Sequence, residues 1–178
     1  GREDLKNYPR TEGKDLDLLS GVLGNSDIVF IPAVSEIYPE EDKRIFSFGR
    51  LDKVMEGAHR PGHFNGVAQV VSKLFDIARP DIAFFGQKDF QQLAVIRELE
   101  KQRGNRIIIR GCPTVREHDG LAMSSRNMLL EPGIRERAPV IFRTLSSAAS
   151  MKGKMDIPEL KNYVTGNIDS EPGFKTEY

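Results

Sequence analysis

The chain has 178 residues, 39% hydrophobic and 29% charged, enough to bury a core and the size of one ordinary domain or one domain with a small appendage. Its 26 basic and 26 acidic residues cancel, which excludes a global field drawing it to nucleic acid or to an anionic membrane, so a polyanion would need a local constellation. One cysteine, Cys112, excludes an internal disulfide and a thiolate-rich metal site, no apolar run is as long as a membrane span, and no charged-then-apolar leader opens the chain, so a cytoplasmic protein is expected.

Gly1 to Tyr8 reads as loop, and the first residue, a glycine, suggests that the true start is missing. Asp15 through Leu23 is helix-like and closes at Gly24-Asn25. The run Ile28 to Ile31 predicts a buried strand, and Ile45 to Phe48 a short one. From Phe64 the apolar positions Val67, Val70, Val71, Leu74, Phe75 and Ala78 follow helical spacing until Arg79-Pro80. Ile82 to Phe85 then reads as a strand, Gly86 to Asp89 as a turn, Phe90 to about Arg103 as a helix closed by Gly104-Asn105, and Arg106 to Arg110 as a second strand. Strand, helix and strand with short connections predict a right-handed βαβ unit of a parallel sheet. Beyond Pro113 the character changes. Thr114 to Asn127 is turn-rich, and Pro132 to Met151 and Ile157 to Ile168 look helical. The expected division is therefore a nucleotide-binding domain over 1–113 and a smaller C-terminal domain over 114–178.

Three stretches carry residue types suited to chemistry. Gly86-Gln87-Lys88-Asp89-Phe90-Gln91-Gln92 lies where a parallel strand ends and a helix begins, the position at which open α/β sheets bind ligands. Gly86 would let a ribose or phosphate approach the backbone, and Lys88 supplies a mobile cation. Read alone, the stretch is explained as well by Asp89 capping a helix with Gln92 three positions on. Asp119 to Asn127 sets Ser124 and Ser125 before Arg126, a group that can hold a pyrophosphate, or equally a turn with a capping serine. Glu56-Gly57-Ala58-His59-Arg60-Pro61-Gly62-His63-Phe64 offers His63 as a polar site residue and Arg60 for an anion, with helix capping or surface exposure as the plainer reading. The three histidines lack metal-binding spacing, so no structural zinc is expected. There is no P-loop, no G-x-G-x-x-G and no G-x-S-x-G, and Cys112 sits at a strand end suited to packing.

Taken together and in order, these segments resemble the pantothenate synthetase family over nearly the whole chain. The likeness rests on Glu3-Asp4-Leu5 with Tyr8-Pro9-Arg10-Thr11 and Asp15, and on Glu56-Gly57 with Arg60-Pro61-Gly62-His63-Phe64. It continues in Phe85-Gly86-Gln87-Lys88-Asp89-Phe90-Gln91-Gln92-Leu93, then in Pro113-Thr114-Val115-Arg116 with Asp119 to Asn127. Four ordered signatures outweigh the plainer readings of each alone. The resemblance implies a Rossmann-like nucleotidyltransferase α/β fold with a smaller, incomplete C-terminal domain, Mg-ATP as cofactor, a homodimer, and condensation of pantoate with β-alanine through a pantoyl adenylate.

By that resemblance Gly86, Gln87, Lys88, Asp89, Val115, Met123, Ser124, Ser125 and Arg126 bind ATP, and Lys88, Ser124 and Arg126 are the catalytic set. Gln92 holds pantoate, and Tyr8, Glu56, Arg60 and His63 lie around the same cavity, while Asp15 is the candidate metal ligand. Position 87, commonly glutamate in the family, is Gln87 here, which leaves it a backbone role. The family's H-x-G-H motif and its first strands would precede Gly1 and its last strands would follow Tyr178, so the chain alone is expected to be inactive. The rival readings are a related nucleotidyltransferase acting on a phosphate-bearing acceptor, which would need a second anion pocket where Gln92 sits, and a non-catalytic nucleotide-binding or dimerisation piece.

Overall fold

The computed structural model describes residues 11–178, so Tyr8 and the loop expected over Gly1 to Tyr8 lie outside the described residues. In chain order the first elements are α1 (Glu12–Ser20), α2 (Val34–Ile37), α3 (Glu56–His59) and α4 (His63–Ala78). They are followed by β1 (Ile82–Gly86), α5 (Phe90–Arg103), β2 (Ile108–Cys112), α6 (Pro132–Arg137), α7 (Val140–Ser150) and α8 (Ile157–Asp169). Short 3-10 turns at Gly49–Asp52, Gln87–Asp89 and Ser125–Leu129 complete the set. The described chain divides into two compact units: Val34–Arg116 with residues 177–178, and residues 11–33 with 117–176.

The first unit is built on the expected βαβ order. β1 and β2 run parallel, Ile82 opposite Ile108 and Gly86 opposite Cys112, and α5 connects them. α4 turns Phe64, Ala68, Val71 and Phe75 to the inside, and α5 turns Val95, Ile96 and Leu99 against them. The last three are completely buried, each stabilising the fold by about 1.5–3 kcal/mol. α4 stops because Arg79 adopts φ +45° before Pro80, which has no N–H to extend the ladder. α5 stops at Gly104, at φ +102°, where the left-handed conformation needs no Cβ.

Several local expectations are corrected. Arg106 and Ile107 do not begin the second strand, because both N–H groups donate to the carboxylate of buried Glu100, at 2.7 and 3.0 Å, and the ladder opens at Ile108. Ile45 to Phe48 is not a strand. Three of its backbone groups bond side chains instead of a neighbouring strand, with the Phe46 N–H donating to Asn65 at 2.7 Å, the Phe48 N–H to Asp52 at 3.1 Å and Gln102 donating to the Ser47 carbonyl at 3.0 Å. Ile28 to Ile31 is not a buried strand either. Its four side chains are exposed, Ile28 by 88%, and no ladder partner appears among the described residues.

In the other unit, α1 begins three residues before the expected start and ends at Ser20, where the Gly21 N–H donates to the Leu18 carbonyl at 3.3 Å and the Val22 N–H to the Leu19 carbonyl at 2.9 Å. The helical stretch from Pro132 is broken in two at Ala138-Pro139. α7 buries Val140, Thr144 and Ala148 on one stripe. α8 opens with a reciprocal capping box in which Asp156 and Glu159 each accept a backbone N–H at 2.8 Å.

Candidate active site

At the carboxyl end of β1 the chain leaves the sheet at Gly86, makes the 3-10 turn Gln87–Asp89 and enters α5. A Cβ at Gly86 would meet no protein atom within 4 Å, so the fold does not itself demand glycine there. Asp89 occupies the cap position of α5, but its carboxylate makes no capping hydrogen bond, and the capping box that would explain Asp89 and Gln92 structurally is not formed. Both side chains instead line a cavity of about 340 Å³ that also gathers Lys88, Glu56, Arg60 and His63. Residues more than thirty positions apart in sequence are thus brought to one wall by the packing of α4 on α5.

The charges in this cavity are organised around Glu56. Arg60 donates to one carboxylate oxygen at 3.2 Å and the Tyr178 hydroxyl to the other at 3.1 Å. Burial acts to raise the Glu56 pKa, but the hydrogen bonds from Arg60 and Tyr178 outweigh it and hold the group below its ordinary value. His63 is moved below its ordinary value of 6.5 by burial and then by the charge of Arg60, so its imidazole is neutral at pH 7. His63 and Gln92 also border a neighbouring cavity of about 490 Å³ whose wall includes Val67, Val70 and Val71. One site therefore joins a charged compartment to an apolar one, with a neutral imidazole and an amide at the junction.

A larger cavity, about 560 Å³, lies at the opposite ends of the strands and holds none of the expected residues. Its arginines are partly engaged there, Arg103 pairing with Asp76 at 2.7 Å.

The remaining expected residues are placed elsewhere. Val115 is exposed just beyond β2. Met123 to Arg126 belong to the other unit, where the Ser124 hydroxyl oxygen accepts the Arg126 N–H at 3.3 Å and caps the turn Ser125–Leu129, and Arg126 is exposed. Asp15 stands on α1 and accepts a hydrogen bond from Thr11 at 3.2 Å. Among the described residues no group of three or more His, Cys, Asp or Glu could hold a metal ion.

Sequence reasoning missed Met55, Phe90 and Tyr178 as lining residues, and missed the part played by Gln91. Gln91 had a readable signal, since it shares an inward stripe with Val95 and Leu99 at i, i+4 and i+8. For Tyr178 there was none, because its bond to Glu56 spans 122 positions.

The family model described as pantoate-beta-alanine ligase matches residues 1–178. Pantothenate synthetase of Bacteroides thetaiotaomicron is 49% identical over 177 residues, 99% of this chain and 62% of that protein. The enzyme of Phocaeicola vulgatus is 51% identical over 178 residues, again 99% and 62%. The crystal structure of pantothenate synthetase from Thermus thermophilus superposes with a TM-score of 0.89 at 41% identity, covering 97% of this chain and 62% of that one. Pantoate-beta-alanine ligase from Francisella tularensis, in complex with β,γ-ATP and β-alanine, gives 0.78 at 32% identity, with 94% and 62% covered. The fold is thereby that of the pantothenate synthetases, an α/β nucleotidyltransferase type. The chain spans 62% of the length of these two relatives. With its whole length matched by the family model and about half its residues identical to two pantothenate synthetases, the chain belongs to the pantoate-beta-alanine ligase family.

Proposed function

We propose that the chain carries most of the active site of an ATP-dependent ligase that joins pantoate to β-alanine, releasing AMP and pyrophosphate. The observation that carries this reading is the single cavity into which Glu56, Arg60, His63, Lys88, Asp89 and Gln92 converge in a member of this family. Both first reactants are anions, so their approach needs cationic and neutral groups, and the cavity offers Lys88 and Arg60 beside the neutral Gln92 and His63. Gly86, Gln87, Lys88 and Asp89 bind the nucleotide, together with Val115 and the segment Met123, Ser124, Ser125 and Arg126. The two methyl groups of pantoate suit the apolar wall of Val67, Val70 and Val71, and its polar end suits Gln92.

A carboxylate oxygen of pantoate attacks the α-phosphorus of ATP, and the bond to the departing pyrophosphate breaks. Lys88 offsets charge on the transferred group, and Ser124 and Arg126 act on the leaving pyrophosphate. The amine of β-alanine then attacks the acyl carbon of the mixed anhydride, loses a proton, and AMP leaves. Exclusion of water protects the anhydride between the two steps. Magnesium takes one or two carboxylates beside nucleotide phosphates and water, so a single carboxylate fits it, and Asp15 would be the residue that holds it. Such an ion would neutralise phosphate charge.

We also infer a homodimer in the cytoplasm. Among the described residues no helix is long and apolar enough to cross a membrane. The test is made on a protein of the relatives' full length that carries this sequence. Given ATP and pantoate it should exchange pyrophosphate into ATP, and β-alanine should then release one AMP per pantothenate formed. Exchange independent of pantoate would overturn the reading.

A further inference from the structure

We infer that Gln91 is a positioning residue for this reaction, its side-chain amide locking a strained backbone turn at Met55 and thereby aiming Glu56 into the cavity. The inference rests on the ligase reading above. Met55 has φ +50° and ψ −129°, a conformation that glycine adopts freely and a residue with a side chain rarely holds. Such a conformation persists only where the surroundings over-determine it.

The amide of Gln91 supplies that determination from both sides of Met55. Its nitrogen donates to the carbonyls of Leu51 and Val54 at 2.7 and 2.8 Å, and its oxygen accepts the N–H of Glu56 at 3.1 Å. Gln91 is 7% exposed, so no water replaces these bonds without opening the loop. On the far side Gly57 packs closely against the backbone of Asp52, where a Cβ would stand 2.6 Å from the carbonyl carbon and oxygen.

The same residue ties together two walls of the cavity. Gln91 is the second residue of α5, three positions after Lys88, and its amide holds the segment that presents Met55, Glu56 and, one helical turn on, Arg60. Without the amide, Met55 is free to return to an ordinary conformation, and the peptide plane that carries Glu56 rotates. Gln91 touches no reacting atom and acts through Glu56.

The experiment uses Gln91→Met, which keeps the length of the side chain and removes all three bonds, in the protein of full length. Expected is a fall in kcat/KM for pantoate on the order of tenfold, as small misplacements of positioning groups produce. Adding Met55→Gly, which takes up φ +50° without strain, should restore most of that loss. An unchanged Gln91→Met enzyme overturns the proposal, and so does a loss that Met55→Gly fails to recover, since Gln91 is then only a buried amide. If Gln91→Met alone does not fold, the double variant must fold and turn over, and its failure is equally decisive. An unsubstituted protein that makes no pantothenate sinks the ligase reading and this proposal with it, whereas normal turnover with a silent Gln91→Met sinks this proposal alone.

Discussion

Lys88 and His63 line one cavity, and they differ in what the protein has done to them. Lys88 sits on a short turn at the head of α5, placed where a strand delivers the chain to the edge of the sheet. If it holds the reacting phosphate, Lys88→Ala in the protein of full length should slow adenylate formation by on the order of 10², the usual effect of removing one preorganised electrostatic contact. A single-turnover assay of pantoyl adenylate measures this. His63 is tuned by burial and by Arg60, with a folded value below 6.5. The unfolded chain therefore takes up this proton more readily, and the stability that His63 contributes is complete above pH 6.5 and lost as the pH falls through the lowered folded value. Thermal unfolding followed from above to below pH 6.5 should show a steeper loss for the unsubstituted protein than for His63→Gln.

At the scale of elements, α4 and α5 form the platform, and their contact brings His63 and Gln92 to one cavity. Leu99 is completely buried between them, so Leu99→Ala should lower stability by about 2–5 kcal/mol, read from the midpoint of denaturant unfolding at constant slope. Gly57 lies where α3 meets the backbone of Asp52 rather than a movable side chain, and Gly57→Ala should cost about 1–3 kcal/mol in the same assay. The βαβ order itself was legible, because the apolar spacing of α4, the closing glycine of α5 and the continuous apolar runs of β1 and β2 are local signals. The start of β2 was not, since the carboxylate that captures Arg106 and Ile107 sits on α5.

For the molecule as a whole, the described chain comprises two units, and the segment Met123 to Asn127 belongs to the one without the cavity of Lys88. We propose a joint between nucleotide-binding and C-terminal domains near Pro113. If Met123, Ser124, Ser125 and Arg126 engage the nucleotide, ATP with pantoate should slow amide hydrogen exchange across residues 123 to 127. Equal exchange with and without substrates would assign Arg126 to a surface role.

By itself the sequence determined the fold class, the family, and Glu56, Arg60, His63, Lys88, Asp89 and Gln92 among the residues that meet in the cavity, because hydrophobic period, helix stops and ordered motifs are all written along the chain. Gln92 and Asp89 were legible as site residues only through the motif, since their spacing equally suited a capping box, and the absence of that box required coordinates. Tertiary structure alone decided that Ile28 to Ile31 stays out of any described strand, that Tyr178 reaches Glu56, and that Gln91 clamps Met55. The last two outcomes depend on partners 35 to 122 positions away and on a backbone angle that Met55 would not choose; the helical spacing shows that Gln91 faces inward but not what it holds, and Tyr178 leaves no periodic trace at all.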